Sequence, residues 1–293
     1  MSGEWRVTSG ETLATGRETF SRHLSPVTRH AFTLIEMLLV ITILGILAAL
    51  VVPAVKNIGK ADASLGASRE MLDAVGHARQ LAISRHTTVY MVFVPTNFWA
   101  PPITSSINWT NYLIKTNAQF YAVVNLCDQQ LSGYTFVAYG ALGDQPGQHV
   151  WHYLEPWHSL PSGSFIAQWK FGPRNVANPI VNHATGATYP VQGFDTAQIP
   201  FPTEDFPASM PSQPLPNIPC IAFNYLGQLA SGQDEYIPLA QGSVLPAMDV
   251  NKVLQFSSPD VSETPSGNSV NVFNLVQIDW LTGRAVLRYQ KVQ

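Results

Sequence analysis

From Met37 to Val52 the chain is apolar at every position except Thr42 and Gly45. The run starts earlier, at Phe32, is interrupted by one carboxylate, Glu36, and closes on Pro53-Ala54-Val55. About 20 helical residues at about 1.5 Å each span the roughly 30 Å hydrocarbon core of a bilayer, so the pattern predicts a transmembrane half-helix over 32–55. Beyond Pro53 the pattern turns amphipathic. Met71, Val75, Ala78 and Ala82 follow one helical face, Leu72 widens it, and Lys60, Asp62, Arg69, Glu70, Asp73, Arg79 and Gln80 stay mostly outside. One helix is therefore predicted from about Thr33 to about Arg85, with residues 56–86 as its amphipathic half.

After His86-Thr87-Thr88 the period changes to that of strands. Val89 to Val94 reads as a buried strand, Phe120 to Asn125 as a second, and Tyr134 to Tyr139 as a third. Ser164 to Trp169 follows the turn Pro161-Ser162-Gly163. Val276, Ile278 and Trp280 alternate with Gln277 and Asp279, Leu281 to Arg284 turns the chain, and Ala285 to Tyr289 returns. No long helical pattern follows residue 86, so residues 87–293 are expected to form a mainly antiparallel β domain. The fold class is α+β, a long N-terminal helix packed on that domain.

Two stretches break this order. Between about Gly172 and Asn217 apolar periodicity fades, and eight prolines lie from Pro190 to Pro219, which predicts a long surface excursion over 172–217. A shorter insertion is expected at 97–116, with Phe98, Trp99 and Trp109 near Pro101-Pro102. There is no internal repeat.

Composition narrows the function. Only 12% of residues are charged, about half the usual share. Arg6, Arg17, Arg22, Arg29 and three glutamates lie in residues 1–31; without them 12 basic and 16 acidic residues remain, a formal charge of −4. No basic stripe for nucleic acid is present. Cys127 and Cys220 fall in the part expected outside the cytoplasm, where a disulfide is permitted. Their apolar surroundings fit burial as small hydrophobes equally well, and the sequence leaves both readings open.

Glu36 is the most informative residue. An ionised carboxylate inside a membrane costs several kcal/mol unless something positive meets it, and no Lys or Arg occurs between Phe32 and Val55. The counter-charge must come from outside the segment, and a free α-amino group on a neighbouring subunit would serve. On this chemistry and on the string Phe32-Thr33-Leu34-Ile35-Glu36 the chain resembles the type IV prepilin family. The resemblance implies that residues 1–31 are a leader removed by prepilin peptidase between Ala31 and Phe32, with Phe32 then N-methylated. Ala31 stands where the family usually has Gly. Arg29 and His30 beside the apolar run hold the leader on the cytoplasmic side. The run continues to Val55, so it is expected to stay as an anchor rather than leave as a secretory signal. Glu36 becomes the subunit-assembly residue, and Gly45 and Pro53 the positions where the helix breaks or loosens.

Further segments resemble the H-type minor pseudopilins of type II secretion and the T-type minor fimbrial pilins. These are Ala78 to Arg85 followed by Val89, Tyr153-Leu154 with Leu160-Pro161-Ser162-Gly163, Phe223 to Gly227, and Gln277 to Leu287. The insertions remain unmatched. The resemblance implies a single-pass inner-membrane protein with its C-terminal domain in the periplasm. It would be built into a periplasmic or surface filament with other pilin or pseudopilin subunits on an inner-membrane assembly platform.

Other chemistry is weakly signalled. His149, His152, Glu155 and His158 form the densest set of metal-ligand types, but His149 and His152 fall on opposite faces of a strand and Pro156 breaks any helix aligning them. An aromatic-rich loop or strand end is the preferred reading, with no metal. Asp128 and Asp144 lack the oxygen-rich spacing of a calcium loop. No His-Glu-x-x-His, Gly-x-Ser-x-Gly or phosphate-loop pattern occurs. A non-enzymatic filament subunit without a cofactor is expected. The alternative is a membrane-anchored binding module whose insertions capture a ligand or secreted substrate.

Overall fold

The computed structural model describes residues 33–97, 117–140, 149–183, 185–204, 215–252, 254–255, 257–271 and 274–289, with backbone alone at 50–63, 117–120 and 289. The expected insertion 97–116, apart from Asn97, lies outside the described residues, as do Phe98, Trp99, Trp109 and Asp144. The chain divides into two compact units, residues 1–52 and 53–293.

Helix α1 runs over Leu34–Arg85, the span that the hydrophobic pattern predicts. Gly45 and Pro53 both fall inside its helical span. Helices absorb a proline when their remaining hydrogen bonds hold. The described part of the first unit is this helix alone from Leu34 on, and its apolar side chains stand exposed, Ile35 by 74% and Ile41 by 69%.

The second unit is α+β. After α1 come β1 (Val89–Phe93), α2 (Asn117–Cys127), β2 (Gly133–Tyr139), β3 (Trp151–Tyr153), β4 (His158–Ser159) and β5 (Ser164–Ile166). β6 (Asn178–Val181), β7 (Thr188–Val191), β8 (Asp195–Gln198) and β9 (Asn217–Phe223) follow. The chain closes with β10 (Glu235–Leu245), β11 (Asp260–Glu263), the single turn α3 (Asn268–Asn271), β12 (Asn274–Ile278) and β13 (Ala285–Tyr289). One sheet has the order β3-β2-β1-β9-β8 with β4 also on β2. The second has the order β11-β10-β12-β13 with β5 also on β10, and β6-β7 is a separate ribbon. Every pairing is antiparallel.

Alternation along β1 explains why its sequence is apolar throughout. Val89, Met91 and Phe93 face the largest buried cluster, whereas Val92 and Val94 belong to a second cluster on the opposite side. A strand buried on both faces needs no polar positions. The first cluster holds Ala67, Met71, Val75, Ala78 and Ala82 of α1 with Phe136, Ile221, Ile237 and Val276. Polar ties flank this stripe. Asn274 donates to Ser64, Tyr134 donates to Glu70 at 2.5 Å, and Arg79 Nε donates to the Thr282 carbonyl at 2.7 Å. The turn between β12 and β13 requires glycine: at Gly283, φ is +61°, and a Cβ would stand 2.0 Å from the Gly227 carbonyl oxygen.

Three expectations need correction. Phe120 to Asn125 is helical, within α2, not a strand, so a helix of 11 residues does follow residue 86. Val123, Leu126 and Cys127, buried at helical spacing, fill the second cluster, and a six-residue apolar run does not by itself distinguish helix from strand. Residues 172–217 are not one surface excursion, because they carry β6, β7 and β8 and bury Ile180, Val191, Phe194, Ile199 and Phe201. Prolines fit there because Pro179 and Pro190 face each other in a two-stranded ribbon, and Pro219 pairs with Thr196 of the outermost strand, β8. The strand from Ser164 stops at Ile166, and Gln168–Phe171 forms a 3-10 turn.

Candidate assembly site at the start of helix α1

Thr33 caps α1. Its carbonyl accepts from Met37 N at 3.2 Å, and its hydroxyl accepts from Glu36 N at 3.3 Å. This is half of a capping box, Thr-x-x-Glu, with Glu36 at the third helical position. The helix dipole favours a carboxylate there. Glu36 is exposed, and no ion pair or hydrogen bond reaches its carboxylate among the described residues. The cap fixes the backbone at Glu36, and the carboxylate itself has no partner among the described residues.

Around it the segment hides its other polar groups. Thr42 turns its hydroxyl back to the Leu38 carbonyl, so the apolar surface is uninterrupted at that position. Gly45 leaves a gap, with no atom within 4 Å of where a Cβ would stand. Among the described residues no helix is long and apolar enough to cross a membrane. The described side chains of this run end at Ala49, whereas the apolar sequence continues to Val55. Ala31 and Phe32, the expected cleavage and methylation residues, lie outside the described residues, and Pro53 is described by backbone alone.

Elsewhere the expected residues take other roles. Cys127 and Cys220 are free, buried thiols in the same apolar cluster, the small-hydrophobe arrangement. Burial, with Asp128 nearby, pushes the Cys127 thiol up to about 12, and burial raises Cys220 as well. The histidine-rich strand is dispersed: His149 packs against Tyr139, and His152 lies 4.0 Å from Glu204. Glu155 instead takes His77 of α1 at 2.5 Å and His158 at 3.0 Å. Among the described residues no group of three His, Cys, Asp or Glu side chains is arranged to hold a metal ion. Sequence reasoning missed His77, which stands on the polar face of α1, 78 residues before its partner.

A second missed feature is a buried charge network. Lys170, 0% exposed, donates to Glu235 and to the Gln192 carbonyl at 2.7 Å, and sits 4.5 Å from the centre of the Phe194 ring. Arg174 bridges Glu235 at 3.2 Å and Asp195 at 3.1 Å. Burial pulls the Lys170 pKa down, and Glu235 opposes that pull.

Residues 28–52 match the family model of the prokaryotic N-terminal methylation motif. That motif marks type IV pilin-like precursors, which are processed by prepilin peptidase and assemble with other pilin subunits. No curated protein and no solved structure matches the chain significantly.

Proposed function

We propose that the chain is a minor pilin or pseudopilin of the H-type or T-type. Prepilin peptidase cuts between Ala31 and Phe32, the new amino terminus is methylated, and residues 32–55 anchor the subunit in the inner membrane. The domain 87–293 stands in the periplasm, with 56–86 as the amphipathic half-helix leading to it. The subunit enters a short filament on an inner-membrane platform that serves secretion or pilus assembly. Its role is mechanical rather than enzymatic.

The observation that carries this reading is Glu36. It lies within the matched motif, at the third position of α1, and the side chains described from Leu34 to Ala49 around it are exposed and, apart from Thr42, apolar. A large exposed apolar surface marks a lipid or protein contact. A lone carboxylate inside it selects a cationic partner, and the amino terminus of a neighbouring subunit supplies that charge. Mass spectrometry of the mature protein tests the reading. The N-terminal peptide is expected to begin at methylated Phe32, and a chain still starting at Met1 in cells holding the peptidase would sink it.

A further inference from the structure

Ser132, Ser159, Ser162, Ser164 and Ser243 line one cleft of about 320 Å³, together with Asp128. It opens where the two main sheets are stitched together. β4 joins β2 at Gly133↔Ser159, and β5 joins β10 at Gln241↔Ser164. Three backbone bonds reinforce this junction: Ile166 N to the Leu131 carbonyl at 2.8 Å, Leu160 N to that of Ser132 at 3.0 Å, and Gly242 N to that of Gly163 at 3.0 Å. Junctions between packed elements are where small-molecule sites concentrate. With these amides engaged, the serine hydroxyls and the Asp128 carboxylate are the remaining polar groups of the cleft, and Ser159 Oγ also donates to the Leu160 carbonyl at 3.3 Å.

Ser164 is the distinctive member. It is 5% exposed, and its hydroxyl is buried without a hydrogen-bond partner among the described residues. Buried polar groups are nearly always paired, so an orphan in the wall of a cleft needs an explanation. Ser132 and Ser159 face each other at 3.2 Å, and either can be the donor. Each hydroxyl gives one proton and accepts through two lone pairs.

Charge then selects the ligand. Among the described residues, Asp128 is the only ionisable side chain lining the cleft, and no Lys, Arg or His joins it. A phosphate or carboxylate would meet a like charge and no cation. A calcium ion takes about six to eight oxygens, mostly from several carboxylates and carbonyls, and only one carboxylate is present. We infer that the cleft binds a neutral polyhydroxylated ligand, a saccharide unit, whose hydroxyls donate and accept as the serines do. This site is separate from the filament reading and does not depend on it.

The test is titration of the full-length chain in a detergent without a sugar headgroup. Glucose, galactose, N-acetylglucosamine and their disaccharides are added, followed by calorimetry and saturation-transfer NMR. At least one sugar is expected to bind saturably. Ser164→Ala and Ser132→Ala should each weaken it about tenfold, with Asp128→Asn within about threefold of wild type. Should Ser164→Ala fail to fold, the partly exposed Ser132 and exposed Ser159 variants decide the matter. Sugar binding unchanged in the serine variants, or no sugar bound at tens of millimolar, overturns the inference and leaves a bound water as the partner of Ser164. Ethanolamine bound in place of sugars, and lost in Asp128→Asn, overturns it equally.

Discussion

The Glu155 carboxylate, in the loop after β3, accepts a hydrogen bond from His77 on α1 at 2.5 Å. His158 reaches the other carboxylate oxygen at 3.0 Å, and its ring stacks on that of Tyr134, which is tied in turn to Glu70 of α1. A polar seam thus links Glu70 and His77, about two turns apart on α1, to one end of the first sheet.

The seam gives stability a pH dependence. Burial alone would raise the Glu155 pKa, but the hydrogen bonds and charge of His77 and His158 outweigh it and hold the group below 4.5. A depressed folded pKa contributes stability above the unfolded value that is lost as pH falls through the folded one. The side chain is 29% exposed, so the contribution is about 1 kcal/mol or less. Glu155→Gln should lower Tm near neutrality by about 2–4 °C, and the difference from wild type should shrink as pH drops below 4.5. A gap that stays constant down to strong acid would show that the carboxylate charge is not involved.

Glu36→Gln separates charge from helix capping. Glutamine also serves at the third position of a capping box, so helix start and leader cleavage should be unchanged. Recovery of the subunit in sheared filaments or crosslinked complexes should fall. Equal recovery of the two proteins would mean that Glu36 sits at the interface facing water or headgroups.

Met71 is 0% exposed at the centre of the first cluster, whereas Leu65 on the same helix is 53% exposed. Met71→Ala should cost about 2–5 kcal/mol and Leu65→Ala within about 0.5 kcal/mol of zero, measured by denaturant unfolding. Similar losses at both sites would argue against this face of α1 as the buried one.

Lys170→Met leaves Glu235 buried with Arg174 as its remaining cation. Breaking a buried pair from one side costs about 3–5 kcal/mol. The double variant Lys170→Met with Glu235→Leu should recover much of that loss, because neither charge is then stranded. A double-mutant cycle in urea measures the coupling, and additive losses would contradict it.

Thiol titration distinguishes the two readings of the cysteines. With both thiols buried and held protonated, neither should react in the native protein, and both should react in denaturant without reductant. No thiol released in denaturant would mean that Cys127 and Cys220 are bridged.

The reach of α1 was legible because its apolar run passes into a clear helical stripe at Met71, Val75, Ala78 and Ala82, all buried in the structure. The hairpin β12–β13 was legible from alternation around Leu281 to Arg284. α2 was not, because Phe120 to Asn125 mixes β-branched and aromatic residues over too few positions to set a period. The prolines of residues 172–217 hid three strands, since a ribbon and an outer strand tolerate missing donors that a central strand does not. At the candidate site the acid was visible in the sequence, whereas Thr33 was read only as the approximate start of the helix and its capping bond comes from the structure. The seam was not, because His77 gives no local sign of a partner 78 residues later.

The ties along α1 also bear on how the second unit carries load. Ser64, Glu70, His77 and Arg79 are anchored to β12, β2, the loop after β3 and the turn before β13. A pull along the helix axis would therefore be shared by all four anchors and the buried stripe between them. They would have to yield in shear together, whereas a sideways peel would break them one at a time. A subunit pushed or drawn along its helix is thus gripped in the stronger of the two directions.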